Sequence, residues 1–133
     1  MSTNTQIITD ALRLIKVLAE GEVPSAEQAS DALRRLNQMM ATWDVDSVAL
    51  GYHDQTDATA SIPIPDWAEK GVMGQLAIEL APEYGAQMSP EAAKVADDGY
   101  QVILRRIAIL KLKPADMSHL GSTNYRYNIE TDL

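Results

Sequence analysis

Apolar side chains recur along most of the chain at the three- and four-residue steps that gather them on one side of an α-helix. From residue 5 to 20 the row is Ile7, Ile8, Ala11, Leu12, Leu14, Ile15 and Leu18, with Thr9, Arg13 and Lys16 opposite and Gly21 as a stop. Ser25 followed by Gln28 has the form of a capping box. It opens a second helix, about 26–44, whose row is Ala29, Ala32, Leu33, Leu36, Met39, Met40 and Trp43. Asp31, Arg34, Arg35 and Gln38 fall outside that row, so this helix buries one side. Asp66 with Glu69 repeats the start signal for a third helix that closes at Tyr84-Gly85. Ser89, Pro90 and Glu91 start a fourth helix, about 90–112, with Ala93, Ala96, Tyr100, Ile103, Leu104, Ile107 and Leu110 facing inward.

The third helix breaks the amphipathic pattern. Val72, Met73, Leu76 and Leu80 fall on one side and Gly71, Gly74, Ala77, Ile78 and Ala81 on the other, leaving a thin polar line through Gln75 and Glu79. Each glycine costs about 1 kcal/mol of helix propensity relative to alanine. A second backbone approaching the small face would offset that loss. The fourth helix carries a second seam: Val95, Val102 and Ile109 recur every seven residues on a side that is otherwise polar. A lone monomer has no use for them there, so Gly71, Gly74, Val95, Val102 and Ile109 are the expected contacts with neighbouring subunits.

Two stretches lack the helical period. Residues 45–64 hold two short runs richer in β-formers, around Leu50–Tyr52 and around Ile62, separated by a polar turn, and they predict a β-hairpin or an extended loop, with Pro63 and Pro65 stopping any continued ladder. Past Pro114 a polar stretch leads to Tyr125, Tyr127 and Ile129 at alternate positions, the pattern of a terminus that is either disordered or a strand waiting for a partner's edge. The sequence thus predicts an all-α fold: a four-helix bundle over residues 1–112, a β-hairpin between its second and third helices, and an extended tail over 113–133.

Composition narrows the function. The 133 residues are 46% hydrophobic and 23% charged, which suits one globular domain. The absence of cysteine excludes thiol catalysis, thiolate metal sites and disulfides, and fits a reducing cytoplasm. No basic segment leads into a long apolar run, so the chain is expected to be soluble, not secreted, and free of the membrane. A net charge of −8 repels the phosphate backbone and speaks against sequence-reading contact with nucleic acid. Eighteen alanines and no phenylalanine suggest closely packed helices.

Candidate chemistry is sparse. His53 and His119 stand in loop-like segments without carboxylates at ligand spacing. Asp44 with Asp46, and Asp54 with Asp57, are fragments of an oxygen-ligand set without the glycine turn or terminal glutamate of a calcium loop. Neither a nucleophile elbow nor a phosphate-cradling glycine loop occurs. Arg105, Arg106, Lys111 and Lys113 lie near a helix C-terminus, where cations complement the dipole. The expectation is a protein that is not an enzyme, with no metal and no cofactor.

The segments "LNQMMATW" (36–43) and "LAIELAPEYG" (76–85), in the order helix, helix, hairpin, helix, helix, resemble the head-to-tail adaptor family of tailed double-stranded DNA bacteriophages, the short-tailed group above all. Its members are also called connector, head-completion or packaged-DNA stabilisation proteins. The similarity covers roughly residues 8–108. It implies a virion protein at the head–tail junction, made in the host cytoplasm. It also implies a ring of twelve under the portal that extends the DNA channel, helps retain the genome and carries the next tail component. On that reading Tyr125, Tyr127 and Ile129 dock on the portal, and Leu50, Tyr52 and Ile62 contact the distal nozzle or tail tube. DNA passes through the lumen without sequence-specific binding. The rival readings are a small helical DNA-binding or packaging subunit, which needs a basic face from Arg34, Arg35, Arg105 and Arg106, and a small enzyme built around a histidine.

Overall fold

The computed structural model describes residues 1–111. Four α-helices account for most of it: α1 (Asn4–Leu14), α2 (Ala26–Val45), α3 (Glu69–Leu80) and α4 (Pro90–Lys111), with 3₁₀ turns at Asp66–Ala68 and Ala81–Tyr84. No strand forms among the described residues; the β-type pairing there is a lone antiparallel bridge between Thr3 and Ser61. The fold is all-α, but it is not a four-helix bundle. Helix α3 is the hub, packed along α4 on one side and against α1 and α2 on others.

The capping box read from Ser25 and Gln28 is made: the Gln28 N–H donates to Ser25 Oγ at 3.1 Å and the Ser25 N–H to Gln28 Oε1 at 3.0 Å. Ala32, Leu33, Leu36, Met39, Met40 and Trp43 are buried beneath α2. At the start of α1 Thr3 and Gln6 form a second such box. Helix α1 is shorter than its apolar row. It ends at Leu14 because Lys16 turns into the left-handed region at φ 62°, letting the Lys16 N–H reach Arg13 O at 3.0 Å and the Val17 N–H reach Leu12 O at 2.9 Å. Ile15 and Leu18 are buried beyond the end, which prolongs the helical rhythm in the sequence without prolonging the helix.

Helix α2 stops the same way, with Ser47 at φ 67° and the Val48 N–H on Trp43 O at 2.8 Å. A left-handed backbone costs an L-residue about 1–2 kcal/mol, part of which a glycine gives back as unfolded-state entropy. Lys16→Gly and Ser47→Gly are therefore each expected to stabilise the protein by about 0.5 kcal/mol, read as a rise in the urea midpoint at unchanged slope.

The predicted hairpin is replaced by an irregular clasp. Ala60 O and Ala58 O accept the free N–H groups of Asn4 and Thr5 at 2.9 and 2.8 Å, and the Ile62 N–H donates to Ser2 O at 2.9 Å. These backbone groups thus cap the N-terminus of α1 instead of pairing with each other. The alternation that suggested strands is real, but it arises because Val48, Leu50, Ile62 and Ile64 each point into the helical core. At the third helix, the Asp66–Glu69 cap is not made; the Glu69 carboxylate accepts from the Ser2 N–H and hydroxyl at 2.9 and 2.7 Å.

Candidate functional site

The small face of α3 lies on α4. A Cβ added to Gly71 would stand 2.5 Å from Gly99 O and 2.4 Å from Ile103 Cδ1, and one added to Gly74 would stand 2.6 Å from Ala96 Cα. Contact this close selects the smallest side chains on both helices, so the buried line of α4 runs Ala92, Ala96, Gly99 and Ile103. That is rotated from the row Ala93 to Leu110 expected from the pattern. Ala93 and Leu110 are exposed, and Tyr100, Leu104 and Ile107 are half-buried.

The outward side of α4 is where the molecule leaves apolar surface. Ile109 is 58% exposed and Val102 38%, with Leu110 beside them, while Val95 is half-buried. Next to Val102, the side chains of Trp67, Lys70, Asp98 and Arg105 border a groove of about 420 Å³ between the turn before α3 and the middle of α4. The Arg106 guanidinium rests over the Trp67 ring, 5.9 Å from its centroid, in a cation–π arrangement. Lys70, Arg105 and Arg106 form no ion pair among the described residues. An apolar floor with a cationic rim is suited to holding a partner's surface.

The family model for the P22 tail accessory factor matches residues 1–132. The chain belongs to the P22 tail accessory factor family. It is accordingly a structural, virion-associated protein of the phage tail. Comparison with curated proteins gives no match.

Within the chain, the residues singled out from sequence separate into distinct groups. Gly71 and Gly74 are buried against α4 of the same chain, so the neighbour they were expected to meet is intramolecular. Leu50 is buried and Ile62 is 0% exposed, held there by the clasp, which removes both from any distal surface. Tyr52 is half-buried, with its hydroxyl donating to Asn37 Oδ1. Tyr125, Tyr127, Ile129 and His119 lie outside the described residues. Val102 and Ile109 share the outer side of α4.

The clasp also holds a polar cluster. Asn37 Oδ1 accepts the Gln55 N–H at 2.9 Å and Asn37 Nδ2 donates to Gln55 O at 2.9 Å, so one side chain closes a two-bond ring on the backbone of residue 55. The buried Gln55 side chain accepts from Asn4 at 3.0 Å and donates to His53 O at 2.9 Å. Burial, reinforced by the Asp54 carboxylate, pushes the Tyr52 phenol above its ordinary range. His53 itself is exposed, and among the described residues no group of three or more His, Asp or Glu side chains is placed to hold a metal ion.

The Trp67 groove was not read from sequence. In the sequence Arg105 and Arg106 read as cations near a helix C-terminus, and Lys70 and Trp67 carry no signal of their own. The available cue was the matched small-residue spacing of Gly71 with Gly74 and Ala96 with Gly99. Once those pairs interlock, Lys70, Asp98 and Val102 must flank the seam.

Among the described residues no helix is long and apolar enough to cross a membrane.

Proposed function

We propose that this member of the family is a head-to-tail adaptor whose identical copies form a ring of twelve under the portal, extending the DNA channel, helping to retain packaged DNA and offering a platform to the next tail component. The observation that carries this reading is the apolar surface of Val102, Ile109 and Leu110 on the outside of α4, which the other described helices leave uncovered. Burial of that surface between identical copies accounts for side chains a lone copy leaves in water, and a contact between unlike patches closes into a ring when its rotation permits. Tyr125, Tyr127 and Ile129 then dock on the portal, and the duplex passes through a lumen of acidic subunits, each at −8, without sequence-specific contact. No catalysis and no cofactor enter the mechanism.

The paired substitution Val102→Asp with Ile109→Asp tests it. Both side chains are exposed, so stability should change by no more than about 0.5 kcal/mol. Assembly on purified portal rings, followed by sedimentation and electron microscopy, is expected to be lost. Unchanged assembly overturns the role of this row.

The alternative is a small helical DNA-binding or packaging subunit, for which the observation in favour is the cluster of Lys70, Arg105 and Arg106 around Trp67. Asp98 shares the groove, and the chain as a whole is acidic. A salt-dependent shift of duplex DNA by the monomer would favour this alternative.

A further inference from the structure

We infer that the Trp67 groove receives the Val45 tip of a neighbouring copy. The inference rests on the ring reading above and names the two unlike patches that meet in it. Val45 is the most exposed large apolar side chain among the described residues, at 83%, and it stands between the exposed carboxylates Asp44 and Asp46. Neither Asp44 nor Asp46 forms an ion pair among the described residues. The Lys111 ammonium donates to Ser47 O at 2.8 Å, and the two carboxylates leave the tip net negative beside it.

The tip and the groove are complementary in both polarity and charge. An apolar knob flanked by two carboxylates meets an apolar floor of Trp67 and Val102, rimmed by Lys70 and Arg105 with Asp98 among them, and Arg106 lines a smaller hollow on the same Trp67 and Val102. Lys70, Arg105 and Arg106 form no ion pair among the described residues, so even with Asp98 in the groove this surface is net positive in a chain with 19 acidic against 11 basic residues, and an acidic partner surface neutralises it. The tip is also held rigid: the turn after α2 is closed by the bonds on Trp43 O and Asp44 O, and the Trp43 ring beneath it is buried against Tyr100, 5.2 Å between centroids. A preformed knob loses little conformational freedom on docking.

One molecule cannot satisfy itself. Val45 lies by the far end of α4, next to the Lys111 contact, whereas the groove centres on Val102, nine residues and roughly 13 Å back along the helix. The pairing is therefore between copies and head-to-tail, the geometry that closes into rings. Val23, another strongly exposed valine, is a poorer occupant because the Arg13 guanidinium donates to the adjoining Glu22 carbonyl at 3.4 Å and would face the cationic rim.

Photo-crosslinking of the full chain carrying Val45→p-benzoylphenylalanine, mixed with ¹⁵N-labelled unmodified chain in the absence and presence of purified portal, tests the pairing. Crosslinks from the probe to labelled peptides containing Trp67 or Val102 are the expected result. Asp44→Lys with Asp46→Lys should lower their yield about tenfold or more, and a groove partner carrying Lys70→Glu and Arg105→Glu should restore it. Crosslinks between copies at other positions, or crosslinks confined to the portal or to added duplex DNA, overturn this pairing while leaving the ring reading intact. Absence of any contact between copies in both conditions, with a monomer in sedimentation, overturns the ring reading as well.

Discussion

Gly71→Ala and Gly74→Ala should each destabilise the protein by about 2–3 kcal/mol, opposite in sign to what their helical positions alone predict. In an exposed helix the change is worth about 1 kcal/mol of added stability. Here the new methyl groups meet backbone: Gly99 O at 2.5 Å from a Cβ at position 71, and Ala96 Cα at 2.6 Å from one at 74. Backbone atoms cannot rotate aside as a side-chain end can, so the helices must separate, and overpacking of this kind costs about 1–3 kcal/mol, occasionally more. The reverse contact predicts the same for Gly99→Ala, whose methyl would lie 2.8 Å from Gly71 Cα. Because positions 71 and 99 open one gap, the double variant should lose less than the two single losses added together. Urea titration at constant slope measures all four; single variants as stable as the parent, or more so, would show that α3 and α4 do not touch this closely. The effect reaches the assembly surface, since Val102 and Arg105 stand on α4 and Trp67 and Lys70 on the other side of the same seam.

How far the fold was legible depended on which force set each feature. Local hydrogen-bonding chemistry was visible: the box of Ser25 and Gln28 and the buried row of α2 stand where the residue types place them. The end of α1 was hidden because Lys16, not a glycine, adopts the left-handed turn, and Ile15 and Leu18 stay buried after it. Alternation over residues 45–64 reports which side chains face the core, and a clasp laid on helices satisfies it as well as a hairpin does. Gly71 and Gly74 announced a close neighbour but not its identity, since a sequence pattern cannot distinguish a helix of the same chain from that of another. The seven-residue row on α4 was informative for the opposite reason. Val102 and Ile109 stay exposed after the described helices have packed together, so nothing among the described residues accounts for them.

Asn37→Leu should destabilise the protein by about 2–4 kcal/mol and do so by loosening residues 46–65 first. The amide at position 37 holds that segment through three contacts, with the N–H and C=O of Gln55 and the hydroxyl of Tyr52. A leucine of similar branched shape leaves all three groups unpartnered in a partly buried place, and each such group costs about 1–3 kcal/mol, reduced where water can enter. Segment release uncaps α1, because Ala58 and Ala60 supply the acceptors for Thr5 and Asn4. Hydrogen exchange should therefore accelerate at the Asn4, Thr5 and Ile62 amides of the variant while the α3 amides facing α4 keep their protection at low denaturant. Alkali provides an independent check through Tyr52. An unfolded tyrosine ionises near pH 10, whereas burial and the Asp54 carboxylate hold this phenol protonated to higher pH in the native state. Above about pH 10 the native state then binds more protons than the unfolded one, so stability is full below that pH and falls as pH rises further. Tyr52→Phe should flatten this decline, and Asn37→Leu should blunt it by letting water reach the phenol. If exchange instead speeds up uniformly across all helices and the alkaline slope is unchanged in Tyr52→Phe, the clasp is not a separate unit and Asn37 is an ordinary contributor to one cooperative fold.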